Sequence, residues 1–191
     1  ISVISDEIHQ DIRRNGTTHI PLAKLYPEAD WIYTCTAPSK TFNMAGNHMA
    51  NIFIPNGQVR KIWEEKFYYL PNPLSIAATK TAYEKCGTWV DQLNDYLDEN
   101  FRLMKNYFKE NLPWIDFEIP EGTYLAWFNM KKSGYSTDKI REKFIKEAGL
   151  HIETGDMFVG NGDYAIRMNL ACPRQILIDA LDRMHRAFSE T

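Results

Sequence analysis

The stretch Trp31-Ile32-Tyr33-Thr34-Cys35-Thr36-Ala37-Pro38-Ser39-Lys40-Thr41-Phe42-Asn43 predicts a β-strand that ends in a polar tip. Its first six residues are mostly β-branched or aromatic, which favours a strand, and a proline then turns the chain. The opening segment, Ile1-Ser2-Val3-Ile4-Ser5-Asp6-Glu7-Ile8-His9, repeats this pattern. In open α/β sheets, chemistry lies just beyond the strand ends. We therefore expect Asp6 and Lys40 at one sheet edge, bracketing a small-molecule pocket; a buried salt bridge or two solvated loop charges are the alternatives.

The remaining pattern predicts two domains. Strands are expected at 51–54, 117–119, 124–130 and 164–171, and helices at 59–67, 74–111 with an interruption at Gly87, 137–148 and 173–188. Strands separated by helices or long crossovers favour an α/β class with a mixed sheet for residues 1–90. Residues 91–191 are predicted to form a smaller α+β domain, reached through the long helix at about 74–111.

Composition excludes several classes of protein. Among 191 residues, 44% are hydrophobic and 13% aromatic, and the net charge is −3. These values are unlike a disordered chain or a basic nucleic-acid-binding domain, and no apolar run has the length of a membrane span. The three cysteines lack CxxC spacing and the histidines lack paired metal spacing, so we expect reduced thiols, no metal site and a cytoplasmic protein. Because Ile1 opens directly on a strand, we expect this chain to be part of a longer protein.

Three motifs carry a family resemblance that spans almost the whole chain. They are Asp6-Glu7-Ile8-His9, Ser39-Lys40-Thr41-Phe42-Asn43 and Arg167-Met168-Asn169-Leu170-Ala171-Cys172-Pro173-Arg174. Two further segments are weaker matches to the same family: Asn72-Pro73-Leu74-Ser75 and Gly122-Thr123-Tyr124-Leu125-Ala126-Trp127. In this order, the motifs resemble the C-terminal portion of the fold-type I, pyridoxal-phosphate-dependent aminotransferases (class I/II), most closely the cystathionine β-lyase-like branch of the MalY/PatB type. The resemblance implies a remnant of the large-domain sheet followed by the small C-terminal domain.

The resemblance also implies roles at the cofactor. Lys40 would form the Schiff base with pyridoxal 5'-phosphate and then move the substrate Cα proton, from a partly desolvated position. Asp6 would hold the pyridine nitrogen protonated, which makes the ring an electron sink. His9 would lie near the 3-hydroxyl oxygen, unless it is a packed histidine. Ser39 would contact the phosphate or only shape the turn.

Other roles concern the substrate. Arg167 would bind the α-carboxylate of an amino acid through its planar fork, from the second domain and facing the same cleft as Lys40. Tyr124 would line that cleft or pack in the core. Arg174 is predicted to be structural, at the start of a helix. Glu7 is predicted to be structural because neighbouring strand residues point to opposite faces.

The chain also departs from the family pattern. Ala37 and His48 stand where many class I members have a Ser or Thr and an Arg that bind the phosphate. Family members are about twice as long, and their other half supplies the phosphate turn and the ring that stacks on the cofactor. The resemblance therefore implies a homodimeric enzyme in the full-length protein and an inactive 191-residue chain.

Three functions stay open at this point. The first is a carbon–sulfur β-lyase of the cystathionine or cysteine-conjugate type, which releases thiol, pyruvate and ammonia. The second is an aminotransferase of class I/II, which shares the first steps. The third is a noncatalytic fragment that acts only through protein contacts.

Overall fold

The computed structural model describes residues 1–67, 70–160 and 162–189. The chain separates into two compact units, Ile1–Asn94 and Asp95–Thr191. Each unit has its own sheet, and we describe each by itself.

The first unit contains a three-stranded mixed sheet in the order β1-β2-β3. The strands are β1 (Val3–Asp6), β2 (Ile32–Thr36) and β3 (Asn51–Phe53). β1 and β2 are parallel with Asp6 opposite Cys35, and β3 is antiparallel to β2. A parallel pair requires a crossover of a dozen or more residues. Residues 7–31 form that crossover and include only a one-turn helix, α1 (Leu22–Leu25).

Four further helices begin in the first unit. They are α2 (Pro38–Thr41), α3 (Gly57–Lys66), α4 (Pro73–Lys85) and α5 (Gly87–Asn111). The side chains of Asn56 and Asn72 cap α3 and α4 by accepting backbone N–H groups. The helical run predicted from 74 to 111 with an interruption at Gly87 is two helices, because α4 ends at Lys85, Cys86 is its C-cap, and α5 begins at Gly87.

The second unit is a four-stranded antiparallel sheet in the order β4-β5-β7-β6. Its elements are β4 (Asp116–Phe117), β5 (Leu125–Asn129), α6 (Thr137–Glu142), β6 (Glu153–Thr154), β7 (Ala165–Asn169) and α7 (Arg174–Ser189). The sheet, α5, α6 and α7 contribute large side chains to one core that includes Phe101, Phe128, Phe144, Ile166 and Leu181. The resulting α+β arrangement confirms the predicted fold class.

Several predicted bounds in the second unit were wrong. The strand predicted at 117–119 is only Asp116–Phe117, and the strand predicted from Tyr164 starts at Ala165 because Tyr164 has a positive φ of 61°. The helix predicted at 137–148 is α6 followed by a π-helical turn, Lys143–Glu147. The final helix begins at Arg174 rather than at Pro173.

Asn100 joins α5 to the turn that follows β7. Its side chain is fully buried and its Nδ2 donates to the carbonyl oxygens of Leu170 and Cys172, at 3.0 and 3.2 Å. A buried carbonyl that loses its donor keeps the full cost of its desolvation. The polar side chain of Asn100 therefore stabilises the Cys-Pro-Arg turn.

We expect Asn100→Ala to lower the free energy of unfolding by about 2–4 kcal/mol, because it leaves the buried Leu170 carbonyl and the partly buried Cys172 carbonyl without their donor. The measurement is the shift of the denaturant midpoint at constant slope. Asn106→Ala is the matched control, since Asn106 lies exposed on the same helix; it should change stability by no more than about 0.5 kcal/mol. Equal shifts in the two variants would contradict the role of Asn100.

Candidate active site

The parallel strands of the first unit place two of the predicted site residues at the same edge of the sheet. Asp6 is the last residue of β1 and lies opposite Cys35, one residue before the end of β2. The one-turn helix α2 begins directly after β2 and carries Lys40. Because parallel strands end at one edge, Asp6 at the end of β1 and the Lys40 helix after β2 both lie at the carboxyl edge of the sheet. The closeness of the two side chains stays a prediction.

The side chains of Asp6 and Glu7 differ in exposure, as expected for neighbouring strand residues that point to opposite faces. Asp6 is exposed, and its Oδ1 accepts the Ile8 N–H at 3.2 Å. Glu7 is 6% exposed, and its carboxylate accepts from the Ser5 hydroxyl and the Leu22 N–H, both at 3.0 Å. His19 Nε2 lies 2.8 Å from Glu7 Oε2. Glu7 therefore has internal partners, whereas Asp6 presents a carboxylate at the surface of the unit.

Burial alone would raise the pKa of Glu7. The hydrogen bonds from His19, Leu22 and Ser5 outweigh this cost, so the pKa of Glu7 lies below its usual value. Glu7 is thus ionised at neutral pH, and as an acceptor it requires the proton of His19 on Nε2.

Lys40 lies on the outer side of α2. Pro38 and Thr41, three residues apart, are buried, whereas Lys40 is exposed. The partly desolvated position predicted for the lysine is therefore not found in this chain. Among the described residues, no carboxylate forms an ion pair with the Lys40 ammonium. The amine is accessible to an aldehyde from solvent. Asn43, two residues after the helix, has a φ of 53°, a left-handed conformation that asparagine tolerates well.

The other predicted cofactor residues have intermediate or high exposure. Ser39 and His9 are half-buried, and their backbone carbonyls accept the N–H groups of Met44 and Ile12, respectively. His48 is exposed with a φ of 50°. These contacts involve the backbone of the two residues, so a contact of Ser39 or His9 with the cofactor stays a prediction.

An apolar groove lies beside the lysine helix. It has a volume of about 510 Å³ and its lining includes Phe42, Met44, Cys86 and Trp89. Phe42 stacks on Trp89 with ring centroids 5.8 Å apart. Since these side chains carry no charge, the groove does not offer a cation for a phosphate group.

Arg167 lies on the face of the second sheet that is turned away from the core. Its neighbours along β7, Ile166 and Met168, are buried, and the alternation of a strand therefore directs Arg167 to the opposite face. The Nε and Nη2 groups of Arg167 both contact one oxygen of Glu153, the residue opposite it on β6. The guanidinium carbon lies 4.6 Å from the centre of the Phe158 ring. An ion pair and a ring therefore hold the guanidinium in one orientation.

The loop that carries Phe158 requires two glycines. A Cβ built on Gly155 would lie 1.6 Å from the carbonyl oxygen of Gly162, and one built on Gly162 would lie 2.2 Å from the carbonyl oxygen of Gly155. The two backbones thus approach more closely than any side chain permits. This contact closes the loop whose aromatic ring packs under Arg167 and against Trp127.

Tyr124 lies near Arg167 in the second unit. It is half-buried, and burial raises the pKa of its hydroxyl, while the positive charge of Arg167 acts in the opposite direction. Its backbone carbonyl accepts the Leu170 N–H at 2.9 Å, just beyond β7. The two residues predicted to bind substrate therefore belong to one neighbourhood of this unit.

Sequence reasoning did not identify the partners of these residues. Glu153 lies on a two-residue strand, which is too short to show periodicity. Phe158 follows a 3₁₀ turn in an irregular loop. Asp11, which accepts a hydrogen bond from Thr41, is 30 residues away from it in sequence. The only available signal was that Thr41 directly follows the lysine.

The fold of the chain matches solved structures of pyridoxal-phosphate-dependent enzymes of fold type I over about half of their length. The chain belongs to the family "Aminotransferase class I and II", whose model matches residues 1–183. This match confirms the family predicted from the three motifs.

Its relatives include carbon–sulfur lyases. Cystathionine beta-lyase PatB of Bacillus subtilis (strain 168) is 31% identical over 99% of this chain and 50% of its own length. The PLP-bound C–S lyase from Staphylococcus hominis is 41% identical, with a TM-score of 0.94 over 100% of this chain and 51% of that one. Cystalysin from Treponema denticola, which contains a pyridoxal 5'-phosphate cofactor, is 32% identical with a TM-score of 0.93, over 100% of this chain and 50% of that one.

The chain thus spans about half the length of the relatives it matches. No helix in the described part of the chain is both long and apolar enough to cross a membrane. Within residues 1–67, 70–160 and 162–189, no group of three or more His, Cys, Asp or Glu side chains is arranged to hold a metal ion.

Proposed function

We propose that this chain supplies the lysine, aspartate and arginine of a pyridoxal-phosphate-dependent enzyme that cleaves the Cβ–S bond of an amino acid. The observation that carries the proposal is the parallel pairing of β1 and β2, because Asp6 is the last residue of β1 and the Lys40 helix follows the carboxyl end of β2. The likeness to the lyases of Staphylococcus hominis and Bacillus subtilis supports the choice of reaction.

The side chains present suit this cofactor. An exposed primary amine attacks an aldehyde, and an exposed carboxylate pairs with a protonated pyridine nitrogen. Asp6 has one oxygen committed to the Ile8 N–H, and within the described residues its second oxygen, Oδ2, has no hydrogen bond. That oxygen is suited to hold the ring proton.

Each residue then has a defined part in the reaction. When bound, the cofactor supplies the electron sink for negative charge at Cα. Arg167 binds the α-carboxylate and fixes the orientation of the substrate. Lys40 would take the Cα proton of the bound amino acid, and the Cβ–S bond would then break with its electron pair leaving on the thiolate. Water then completes the release of pyruvate and ammonia.

Transamination is the second candidate, because the family model that matches is that of class I and II aminotransferases. It would require the same proton abstraction from Cα by Lys40, but the Cβ–S bond would stay intact and the amino group would be passed on to a 2-oxo acid. Arg167 and Asp6 would have the same parts in both reactions. The products distinguish the two reactions.

We further propose that activity requires the half of the family's length that lies outside the match. The phosphate of the cofactor needs several backbone N–H groups and a cation, and the exposed His48 stands at the position where the family resemblance implies an arginine in many class I members. The complete enzyme is expected to act as a homodimer.

The test compares the 191-residue chain with the complete enzyme. After dialysis with cofactor, we expect the complete enzyme to keep a visible absorbance band and to release pyruvate from a thioether amino acid. The short chain should be colourless. Amino-group transfer to a 2-oxo acid without pyruvate release would favour the aminotransferase. A short chain that keeps its colour and releases pyruvate would contradict the need for the other half.

A further inference from the structure

The loop between β1 and α1, residues 7–21, begins directly after Asp6, the proposed cofactor carboxylate. The far end of this loop binds to the buried side chain of its first residue, because Glu7 accepts from the Leu22 N–H at 3.0 Å and from His19 Nε2 at 2.8 Å. The Glu7 N–H also donates to the Cys35 carbonyl at 2.9 Å and thereby extends the strand pairing past Asp6. The start of the loop is therefore fixed to the sheet.

The middle of the loop contacts the lysine helix. The Thr41 hydroxyl donates to Asp11 Oδ2 at 2.9 Å, and Thr41 is 1% exposed. The same segment is held on α5, because Asn94 Nδ2 donates to the Asp11 carbonyl at 2.9 Å and the Arg13 N–H donates to Asn94 Oδ1 at 3.2 Å. All of these residues belong to the first unit.

The lysine helix has little local stability of its own. α2 has four residues, and its N-cap residue, Ala37, makes no side-chain capping bond. A single helical turn is unfavourable without tertiary contacts. The orientation of Lys40 therefore depends on what holds its neighbour Thr41.

We propose that Asp11 and Thr41 are positioning residues that fix the spacing between the Asp6 carboxylate and the Lys40 amine. This inference rests on the proposed function, in which both groups act on one cofactor. Asp11 lies on the loop that starts at Asp6, and Thr41 is bonded covalently to Lys40. The hydrogen bond between them therefore links the two groups by a short path that does not pass through the sheet. Catalytic groups held in advance in the productive geometry avoid the cost of being ordered during the reaction.

The first unit offers a matched control. Thr79 on α4 is also a buried threonine, at 7% exposed, and within the described residues its hydroxyl has no hydrogen-bond partner. Thr41→Val and Thr79→Val make the same chemical change in similarly buried positions. Only the first removes a hydrogen bond to the loop.

The experiment compares Thr41→Val, Thr41→Ser and Thr79→Val in the complete enzyme. We expect Thr41→Val to speed amide hydrogen exchange at Ile12 and Arg13 of the cofactor-free protein by about tenfold or more, because the loop loses an anchor. In the loaded enzyme, kcat should fall about 10- to 100-fold with KM changed by less than about threefold, and the pH midpoint of the visible band should shift. Thr41→Ser keeps the hydroxyl and should restore both values, and Thr79→Val should match wild type.

The outcomes separate the two proposals. A wild-type enzyme without a visible band overturns the proposed function and with it the positioning role. The positioning role alone is overturned if the wild-type enzyme shows the visible band but Thr41→Val and Thr79→Val have the same exchange rates, kcat and spectrum. It is also overturned if Thr41→Val alters amide exchange but leaves kcat and the spectrum unchanged. If Thr41→Val does not fold, Asp11→Ala replaces it, because it removes the acceptor of the Thr41 hydroxyl and leaves the buried threonine in place. A similar loss of kcat is expected, and an unchanged kcat would refute the inference.

Discussion

Replacing Lys40 with alanine in the complete enzyme is expected to abolish the visible absorbance of bound cofactor and to reduce turnover by at least about 10³-fold. The change removes the amine that is proposed to bond to the cofactor aldehyde, and with it the proposed base for the Cα proton. Because Lys40 is exposed on α2, its replacement should not disturb the fold, so misfolding would not account for such a loss. The measurements are the absorbance spectrum after dialysis and the rate of pyruvate release.

Lys61→Ala is the matched control for this experiment. Lys61 is an exposed helical lysine of the same unit, with only a 4.0 Å i,i+4 pair to Glu65, and its loss should leave the spectrum and rate unchanged. If Lys40→Ala keeps the band and the activity, another amine holds the cofactor and the role of Lys40 is wrong. A wild-type protein that lacks both properties would instead support the noncatalytic alternative.

The elements around Lys40 were predictable because they follow from local chemistry. The β-branched run before Ala37 predicts β2, and the polar residues after it predict the end of the strand. The choice between Asp6 and Glu7 also followed from local geometry, since adjacent strand residues face opposite sides and Glu7 is the buried one. Short-range patterns of this kind need no knowledge of the rest of the fold.

The contacts that hold these residues were not predictable from the same patterns. The Asp11–Thr41 hydrogen bond spans 30 residues, and nothing in either local sequence requires it. The backbone contact between Gly155 and Gly162 follows from the path of a loop, not from a turn signal. The π-helical turn at Lys143–Glu147 was also not predictable from local propensity. Within it Lys143 is buried, and its ammonium donates to Glu147 and to the distant Ala187 carbonyl.

The surroundings of Arg167 show where a motif stops being informative. The motif identified the arginine, and the alternation along β7 sets its face. Its ion pair with Glu153 depends on the register between β6 and β7, which a two-residue strand does not reveal. Glu153 contacts the edge of the guanidinium formed by Nε and Nη2, so the remaining N–H groups are the ones suited to a substrate carboxylate.

Changing Arg167 to lysine in the complete enzyme is therefore expected to lower kcat/KM for an amino-acid substrate by about 10- to 150-fold. The estimate is the loss of one charge-assisted hydrogen bond, about 1.5–3 kcal/mol, converted at 1.36 kcal/mol per tenfold change. A single ammonium keeps the charge but cannot bind Glu153 and offer a planar fork at the same time. The loss should be mainly in KM, because the carboxylate is bound in the ground state as well as in the transition state.

Arg174→Lys provides a control that is matched in its contacts. Arg174 also pairs with a glutamate, Glu99, and lies over an aromatic ring, Tyr96, with 5.0 Å between the guanidinium carbon and the ring centre. Its replacement should lower stability by no more than about 1 kcal/mol and leave KM unchanged, because it anchors a helix start. Equal effects on KM in both variants would show that the loss at Arg167 reflects a general disturbance of the second unit, and unchanged kcat/KM in Arg167→Lys would refute its role in carboxylate binding. Only a rise in KM confined to Arg167 separates a substrate ligand from an arginine that, like Arg174, stabilises the fold.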